Sequence, residues 1–423
     1  MLHALSNESL LVMLASWFWP DAPAADPGAL TLAIAVFAGV ALLVQYVSIA
    51  LAARGVRASS TAVRSAQTPA VSIIRPVCGL EPYSHETLGS TFNLDWPQYE
   101  IIFCAADAND PVLDVVRRLM AQHPHVAARI MTGREGQYAN PKLANMALGW
   151  SVARHDVLVF TDSNVLVPRD YLHRMVEALK SDERIGMVSA PPAGFAPASP
   201  SAWIECAMLN EWQARVQYAV DAAGFGFAQG KNLMFRRRDL EKGGFESLAS
   251  EPAEDAAATK LMRASGQRVK LASPPFPQML GARSFAQVWS RHLRWARLRR
   301  ATFPLLYAPE IFSGPFLPLI AVCVAALRLD ASLMGAGAFY LAFWYAPELA
   351  LGRIARWPQT FWHVLTLMAR DLMLPAIYAA SWFGRDIVWN GHVVASSGGP
   401  AINAEPAYGE TAREGELIEA RKA

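Results

Sequence analysis

An uncharged apolar run from Leu30 to Ala53 limits what this chain can fold into more than any other feature. About 20 helical residues cross the roughly 30 Å of bilayer hydrocarbon, and this run is longer, so it is predicted to span. Glu8, Asp21 and Asp26 precede it without any Lys or Arg, whereas Arg54, Arg57 and Arg64 follow it. Positive flanking charge marks the cytosolic side, which predicts that the region after Ala53 is cytosolic. With no basic residues before the run, it reads as an anchor and not as a cleaved signal. Leu10 to Trp19 is too short to cross and stops at Pro20, so its Trp-rich end is predicted to be interfacial.

A second apolar block begins near Phe312 and divides into Phe312 to Leu327, Ala336 to Leu351 and Phe361 to Phe383, predicted as three further spans. Arg353 and Arg356 then fall on the cytosolic side, in agreement with the first span. Arg370 and Asp371 interrupt the last candidate; charges at that depth either pair inside the bundle or line a polar path. Gly384 to Ala423 has no sustained apolar period and is predicted to be a frayed tail. The 53% hydrophobic and 17% charged composition suits a membrane protein, and a net charge of +2 excludes a broad nucleic-acid-binding surface. Cys78, Cys104, Cys206 and Cys323 form no C-x-x-C pair, which argues against a zinc ribbon or a disulfide framework and for buried thiols in a reducing compartment.

Between the apolar blocks, Val71 to Arg75, Ile101 to Ala105 and Val157 to Thr161 are short apolar runs that predict strands buried in a parallel sheet. Pro111 to Gln122 and Lys142 to Ala153 carry helical periodicity, so strands and helices alternate in an α/β fold. Such sheets bind ligands beyond the carboxyl ends of their strands. Asp107, Asp110 and Asp162 stand there: the first two either cap a helix or face a ligand, and Asp162 either sits in a turn or holds a divalent ion on a nucleotide diphosphate. Farther along, Asp255 in Ala253-Glu254-Asp255 could take a proton from a hydroxyl, unless the acidic pair is only a solvated face. Arg291 and Arg294 could hold a departing diphosphate, with Trp295 stacked or packed beside them. Ser284 to Arg300 interleaves arginines with Phe285, Val288, Trp289, His292 and Trp295, the pattern of an interfacial helix or of a basic cluster that only sets topology.

Several blocks in order carry a family resemblance: Arg75-Pro76-Val77-Cys78-Gly79, Leu94 to Glu100, Asp107 to Pro111, Asn140-Pro141-Lys142, Thr161-Asp162-Ser163, Gly230 to Arg236, Ala253-Glu254-Asp255 and Arg291 to Trp295. From about Val71 to Pro304 the chain resembles glycosyltransferase family 21, membrane-bound enzymes with a GT-A catalytic domain that include ceramide glucosyltransferases and bacterial relatives. The resemblance implies that Asp110 and Asp162 are the first two essential aspartates, near nucleotide and metal, with Asp107 beside them and Lys142 next to phosphate. It implies that Asp255 is the catalytic base, and that Arg291, Arg294 and Trp295 form the (Q/R)-x-x-R-W element over the diphosphate at the membrane surface. The implied partners are a UDP-sugar, foremost UDP-glucose, a lipid acceptor in the bilayer, foremost ceramide, and Mg2+ or Mn2+ at Asp162, with no nucleic acid.

Two departures stand out. Ser163-Asn164 follows Asp162, so a paired D-x-D metal ligand is incomplete, and the stretch Met187 to Pro192 lacks the His of animal ceramide glucosyltransferases. Diacylglycerol or a hopanoid as acceptor, with UDP-N-acetylglucosamine, UDP-galactose or UDP-glucuronate as donor, stays open, as does a non-catalytic nucleotide-binding sensor or transporter. The expected organisation is a non-cytosolic or interfacial segment (1–29), a span (30–53), a cytosolic GT-A domain (54–283), an interfacial helix region (284–311), three spans (312–383) and a tail (384–423), in a bacterial inner membrane or its equivalent.

Overall fold

The computed structural model describes residues 27–57, 64–133, 138, 140–241, 243–384, 387–389 and 392–394. By contact the chain divides into two compact units, Met1–Gln45 with Pro315–Trp344, and Tyr46–Gly314 with Tyr345–Ala423. In the first unit, Arg328 donates to the Thr31 hydroxyl at 2.7 Å and Tyr340 to the Ala38 carbonyl at 3.2 Å.

The second unit contains nine strands that position the site: β1 (Val71–Pro76), β2 (Tyr99–Ala105), β3 (Ala127–Thr132), β4 (Val157–Thr161), β5 (Ile185–Ser189), β6 (Pro192–Pro197), β7 (Asn232–Arg236), β8 (Arg268–Leu271) and β9 (Phe276–Gly281). Seven form one sheet in the order β3-β2-β1-β4-β7-β5-β8, and β6 pairs with β9 in a second. The expected strands β1, β2 and β4 are present and parallel. The sheet as a whole is mixed, because β7 runs antiparallel to both β4 and β5. That reversal has a chemical consequence: the residues entering β7 meet the residues leaving β4.

Side chains alternate across a strand, so each strand of this sheet feeds two cores. Ile73, Val159, Val188 and Met234 pack on one face with Leu172, Met175 and Val176 of helix Tyr171–Lys180. Ile74, Leu158, Phe160 and Phe235 pack on the other with Leu143 and Met146 of helix Pro141–Val152 and Met262 of helix Glu254–Ala264. Each such side chain contributes about 1.5–3 kcal/mol when fully buried, which locks the three helices to the sheet. Gly149 lets helix Pro141–Val152 lie close: a Cβ there would stand 2.4 Å from Ile74 Cγ2.

Two described helices are long and apolar enough to cross a membrane, Gly28–Val56 and His363–Trp382, and the broken pair Pro304–Phe312 and Phe316–Arg328 would make a third. The expected span around Ala336 to Leu351 is a helix, Leu333–Ala355, but Pro347 lies inside it and Glu348, Tyr340, Trp344 and Tyr345 bring its apolarity below that of a span. Arg370 is paired, at 2.8 Å from both Glu348 and Asp371, and Tyr345 donates to Asp371 at 3.0 Å. Ile387–Trp389 and His392–Val394 pair antiparallel where a frayed tail was expected. The rest of that tail and Leu10 to Trp19 lie outside the described residues. Cys104 and Cys206 are buried as expected, whereas Cys78 is exposed.

Candidate active site

Asp162 follows β4 directly and Gly230-Lys231 precede β7, so strand pairing brings them together; the Asp162 N–H donates to the Lys231 carbonyl at 3.1 Å. Behind them Arg75, buried in β1, donates to the carbonyls of Asp162 at 2.7 Å and Val165 at 3.1 Å, which fixes the turn backbone. Lys142 arrives from a different element. Asn140 caps helix Pro141–Val152 by accepting from the Lys142 N–H at 3.0 Å, and Pro141 occupies the first turn, where its missing N–H does no harm.

The Lys142 ammonium lies 2.7 Å from each of Asp162 Oδ1, Glu254 Oε1 and the Gly230 carbonyl. Lys231 Nζ lies 2.7 Å from Asp162 Oδ2 and 3.2 Å from Asn164 Oδ1. Burial alone would raise the Asp162 carboxyl, but the two ammonium groups hold it at about 2. For Lys142 the attraction of Asp162 and Glu254 outweighs burial, and its ammonium form is stabilised.

Glu254 and Asp255 open helix Glu254–Ala264, where the helix dipole favours negative charge. Glu254, 3% exposed, also accepts from Asn140 Nδ2 at 2.9 Å. Asp255 accepts from the N–H of Gly230 and of Ala256, both at 2.8 Å. Enclosure by protein atoms and the adjacent Glu254 charge push the Asp255 carboxyl up to about 6, against the pull of the Gly230 N–H and Lys142. Gly230 touches both acids, since a Cβ there would fall 2.8 Å from Glu254 Oε1 and 3.5 Å from Asp255 Oδ2.

Asp107 and Asp110 follow β2. Asp107 accepts from the Asn109 N–H at 2.9 Å in an exposed turn. Asp110 accepts from Val112 at 2.9 Å, opening helix Val112–Gln122, and from Gly79 at 2.9 Å, so it joins the loops after β1 and β2. Two residues beyond Gly79, the same β1 loop brings Glu81 to Asn164 at 3.5 Å.

From Glu81 a series of charges leads to the arginine helix. Arg283 lies 3.8 Å from Glu81 and 4.0 Å from Glu205, and Arg291 lies 2.8 Å from Glu205. Arg291, Arg294 and Trp295 belong to helix Phe285–Thr302, started by a Ser284/Gln287 capping box. Burial and the Arg291 charge lower Arg294 to about 10. Trp295 packs with Cys206, Leu209 and Leu280 and meets the His292 ring edge-on at 5.1 Å. The later arginines of this helix face protein groups: Arg297 donates to the Phe383 carbonyl at 2.8 Å, Arg299 pairs with Glu310 at 2.8 Å, and Arg300 lies over Trp382.

Beside these aspartates beyond the strand ends, the half-buried Asp255 and the arginine helix stands a comparison of the whole chain: the profile of Glycosyl transferase family 21 matches residues 31–402. The chain belongs to glycosyltransferase family 21. This glycosyltransferase is 24% identical over 333 residues to ceramide glucosyltransferase 3 of Caenorhabditis elegans, covering 77% of its own length and 72% of the relative's. It is 39% identical over 117 residues to the ceramide glucosyltransferase of Komagataella phaffii, covering 27% and 23%. Among solved structures, a mannosyltransferase from Pyrobaculum calidifontis in complex with GDP-Man and Mn2+ is 21% identical, with 82% of this chain and 99% of that one covered and a TM-score of 0.48; at that score the likeness fixes neither fold detail nor ligand.

Among the described residues of the glycosyltransferase, no group of three or more His, Cys, Asp or Glu side chains could hold a metal ion. A single aspartate suffices for an ion that completes its shell with substrate phosphate and water, and a carboxylate has about four lone-pair sites, two of which face ammonium groups at Asp162. Asp162 therefore fits such an ion as one ligand only.

Sequence reasoning gave no role to Lys231, Glu254, Asn140, Asn164 or Glu205. Glu205 left a legible trace: one acid within the apolar stretch Ala202 to Leu209 implies a buried partner. Lys231 left none, since only the reversal of β7 sets it beside Asp162.

Proposed function

We propose that this glycosyltransferase transfers glucose from UDP-glucose to the primary hydroxyl of ceramide, with inversion, at the membrane surface. The observation that supports this reading above others is Asp255, held beside Glu254 and near the Lys142 that pairs with Asp162, with its carboxyl raised to about 6. At neutral pH that carboxylate is ionised yet still basic enough to take the acceptor proton. As the proton leaves, the acceptor oxygen bonds to the anomeric carbon and the bond to the UDP oxygen breaks. The released diphosphate then carries the charge that a lysine beside Asp162, together with Arg291 and Arg294, neutralises; one well-placed donor of this kind lowers a barrier by about 2.7–4 kcal/mol. Asp107 and Asp110, beyond β2, hold the nucleoside end. Mg2+ or Mn2+ bound by Asp162 with phosphate and water would supply Lewis-acid neutralisation of the diphosphate. The catalytic unit faces the cytosol, and its acceptor stays in the bilayer.

The test is purified enzyme in detergent, supplied with UDP-glucose and ceramide and read by product mass. Glucosylceramide is expected from the wild type, and none from a folded Asp255→Asn enzyme that still binds UDP. Product only with diacylglycerol or a hopanoid, or only with another UDP-hexose, would replace the named substrates while keeping the chemistry. Turnover by Asp255→Asn at the wild-type rate would remove Asp255 as base.

A further inference from the structure

An ammonium group has three N–H donors and no acceptor, so counting donors tells which lysine can take a new ligand. Lys142 has all three engaged, by Asp162 Oδ1, Glu254 Oε1 and the Gly230 carbonyl, each at 2.7 Å. To reach a phosphate it would have to abandon one of two enclosed carboxylates, and leaving a buried charge without its partner costs several kcal/mol. Lys231 engages two described acceptors, Asp162 Oδ2 at 2.7 Å and Asn164 Oδ1 at 3.2 Å, the second a long bond to a neutral amide. Its remaining N–H can meet a further oxygen without breaking either.

Position favours the same residue. The backbone of Lys231 is fixed by its carbonyl on the Asp162 N–H, so its side chain rises from the crevice edge where β4 ends and β7 begins. Another cation at this turn, Arg75, has its guanidinium on the carbonyls of Thr87, Asp162, Ser163 and Val165 and on the Thr91 hydroxyl. A diphosphate arriving at Asp162 brings more negative charge to a point that already has two carboxylates close by, and needs a cation with a donor to give.

We infer that Lys231 grips the donor's diphosphate, whereas Lys142 is an internal cation that positions Asp162 and Glu254. This reassigns the phosphate role that the Asn-Pro-Lys block gave to Lys142. It rests on the proposed use of a nucleoside-diphosphate sugar, and it separates two lysines that a sequence pattern would treat alike.

The experiment measures binding of UDP and of uridine to the full-length enzyme in detergent by calorimetry, with melting temperature recorded for each variant. Lys231→Gln is made together with Lys231→Met, so that a folded neutral variant is at hand, and Lys231→Arg keeps the charge. Each neutral variant is expected to weaken UDP roughly ten- to hundredfold, the range of a hydrogen bond to a charged group, while uridine binds as in wild type. Lys231→Arg is expected to recover most of the UDP affinity. Lys142→Met is expected to lower the melting temperature yet keep the wild-type ratio of UDP to uridine affinity. An unchanged ratio in the neutral Lys231 variants, or a collapse of the ratio in Lys142→Met alone, overturns the assignment and leaves the transferase reading intact. A wild-type enzyme that does not prefer UDP to uridine overturns both.

Discussion

Asp255 and Glu254 are neighbours in sequence with opposite duties. Glu254 is tied to Lys142 and Asn140, which leaves Asp255 with two backbone N–H groups and a like charge next to it. With Asp255 as the proposed base, the acid limb of kcat/KM is expected near pH 6, below which its carboxylate takes up a proton. Glu254→Gln removes the repulsion and leaves the Lys142 attraction, so the limb should move to lower pH, together with a lower plateau because Lys142 loses a carboxylate. A pH–rate series on both enzymes checks this, and a limb that stays in place would separate Glu254 from the base. The sign for stability follows from the same shift. The folded value lies above the unfolded one of about 3.9, so the contribution of Asp255 is fully present below about pH 4 and is lost as pH rises through about 6. At this scale the sequence announced Asp255, Asp162 and Lys142 by their motifs. It could not announce that Lys142 bridges two acids, because the bridge needs the cap of one helix and the first turn of another to face each other.

Elements show where local patterns suffice and where they fail. The strands around Ile73, Ile102 and Val159 were legible because both faces of each are buried, which leaves an unbroken apolar run. The apolar run Ala336 to Leu351 reads as a span only if Pro347 and Glu348 are passed over, and only the fold supplies a reason for that acid, its 2.8 Å pairing with Arg370. Arg370 is 2% exposed and Asp371 4%, so the group is sealed from water. Arg370→Met leaves two enclosed acids together and is expected to cost about 3–5 kcal/mol, the usual loss when one partner of a buried pair is removed. The measurement is thermal unfolding in detergent. Adding Glu348→Gln and Asp371→Asn to Arg370→Met should recover part of the loss, because the two acids bonded to the missing guanidinium are then neutral while the buried Arg215 loses their attraction. A single variant as stable as wild type would mean that the cluster is wet and does not hold the helices.

For the molecule as a whole, the orientation of the catalytic unit decides whether a cytosolic sugar nucleotide can reach Asp162 at all. The flanking charges argue for the cytosol: Arg54, Arg57 and Arg64 after the first span, with no basic residue before it. Cys78 offers a way to read the side. It is the one exposed cysteine, Cys323 being half-buried, and it lies in the β1 loop, next to the Gly79 N–H that binds Asp110. Cys104 and Cys206 are buried, and burial drives both thiols away from the reactive thiolate form. A membrane-impermeant maleimide should therefore label the wild type in inverted membrane vesicles and not in right-side-out ones, and Cys78→Ser should abolish that labelling. If UDP occupies the crevice beyond the strand ends, its presence should also slow the reaction at Cys78, since the loop that carries this thiol is joined to Asp110 through Gly79 and to Asn164 through Glu81. Labelling from the outer face alone would place the active-site loop on the side of the membrane without sugar nucleotides, and the reading of the flanking arginines would have to be reversed.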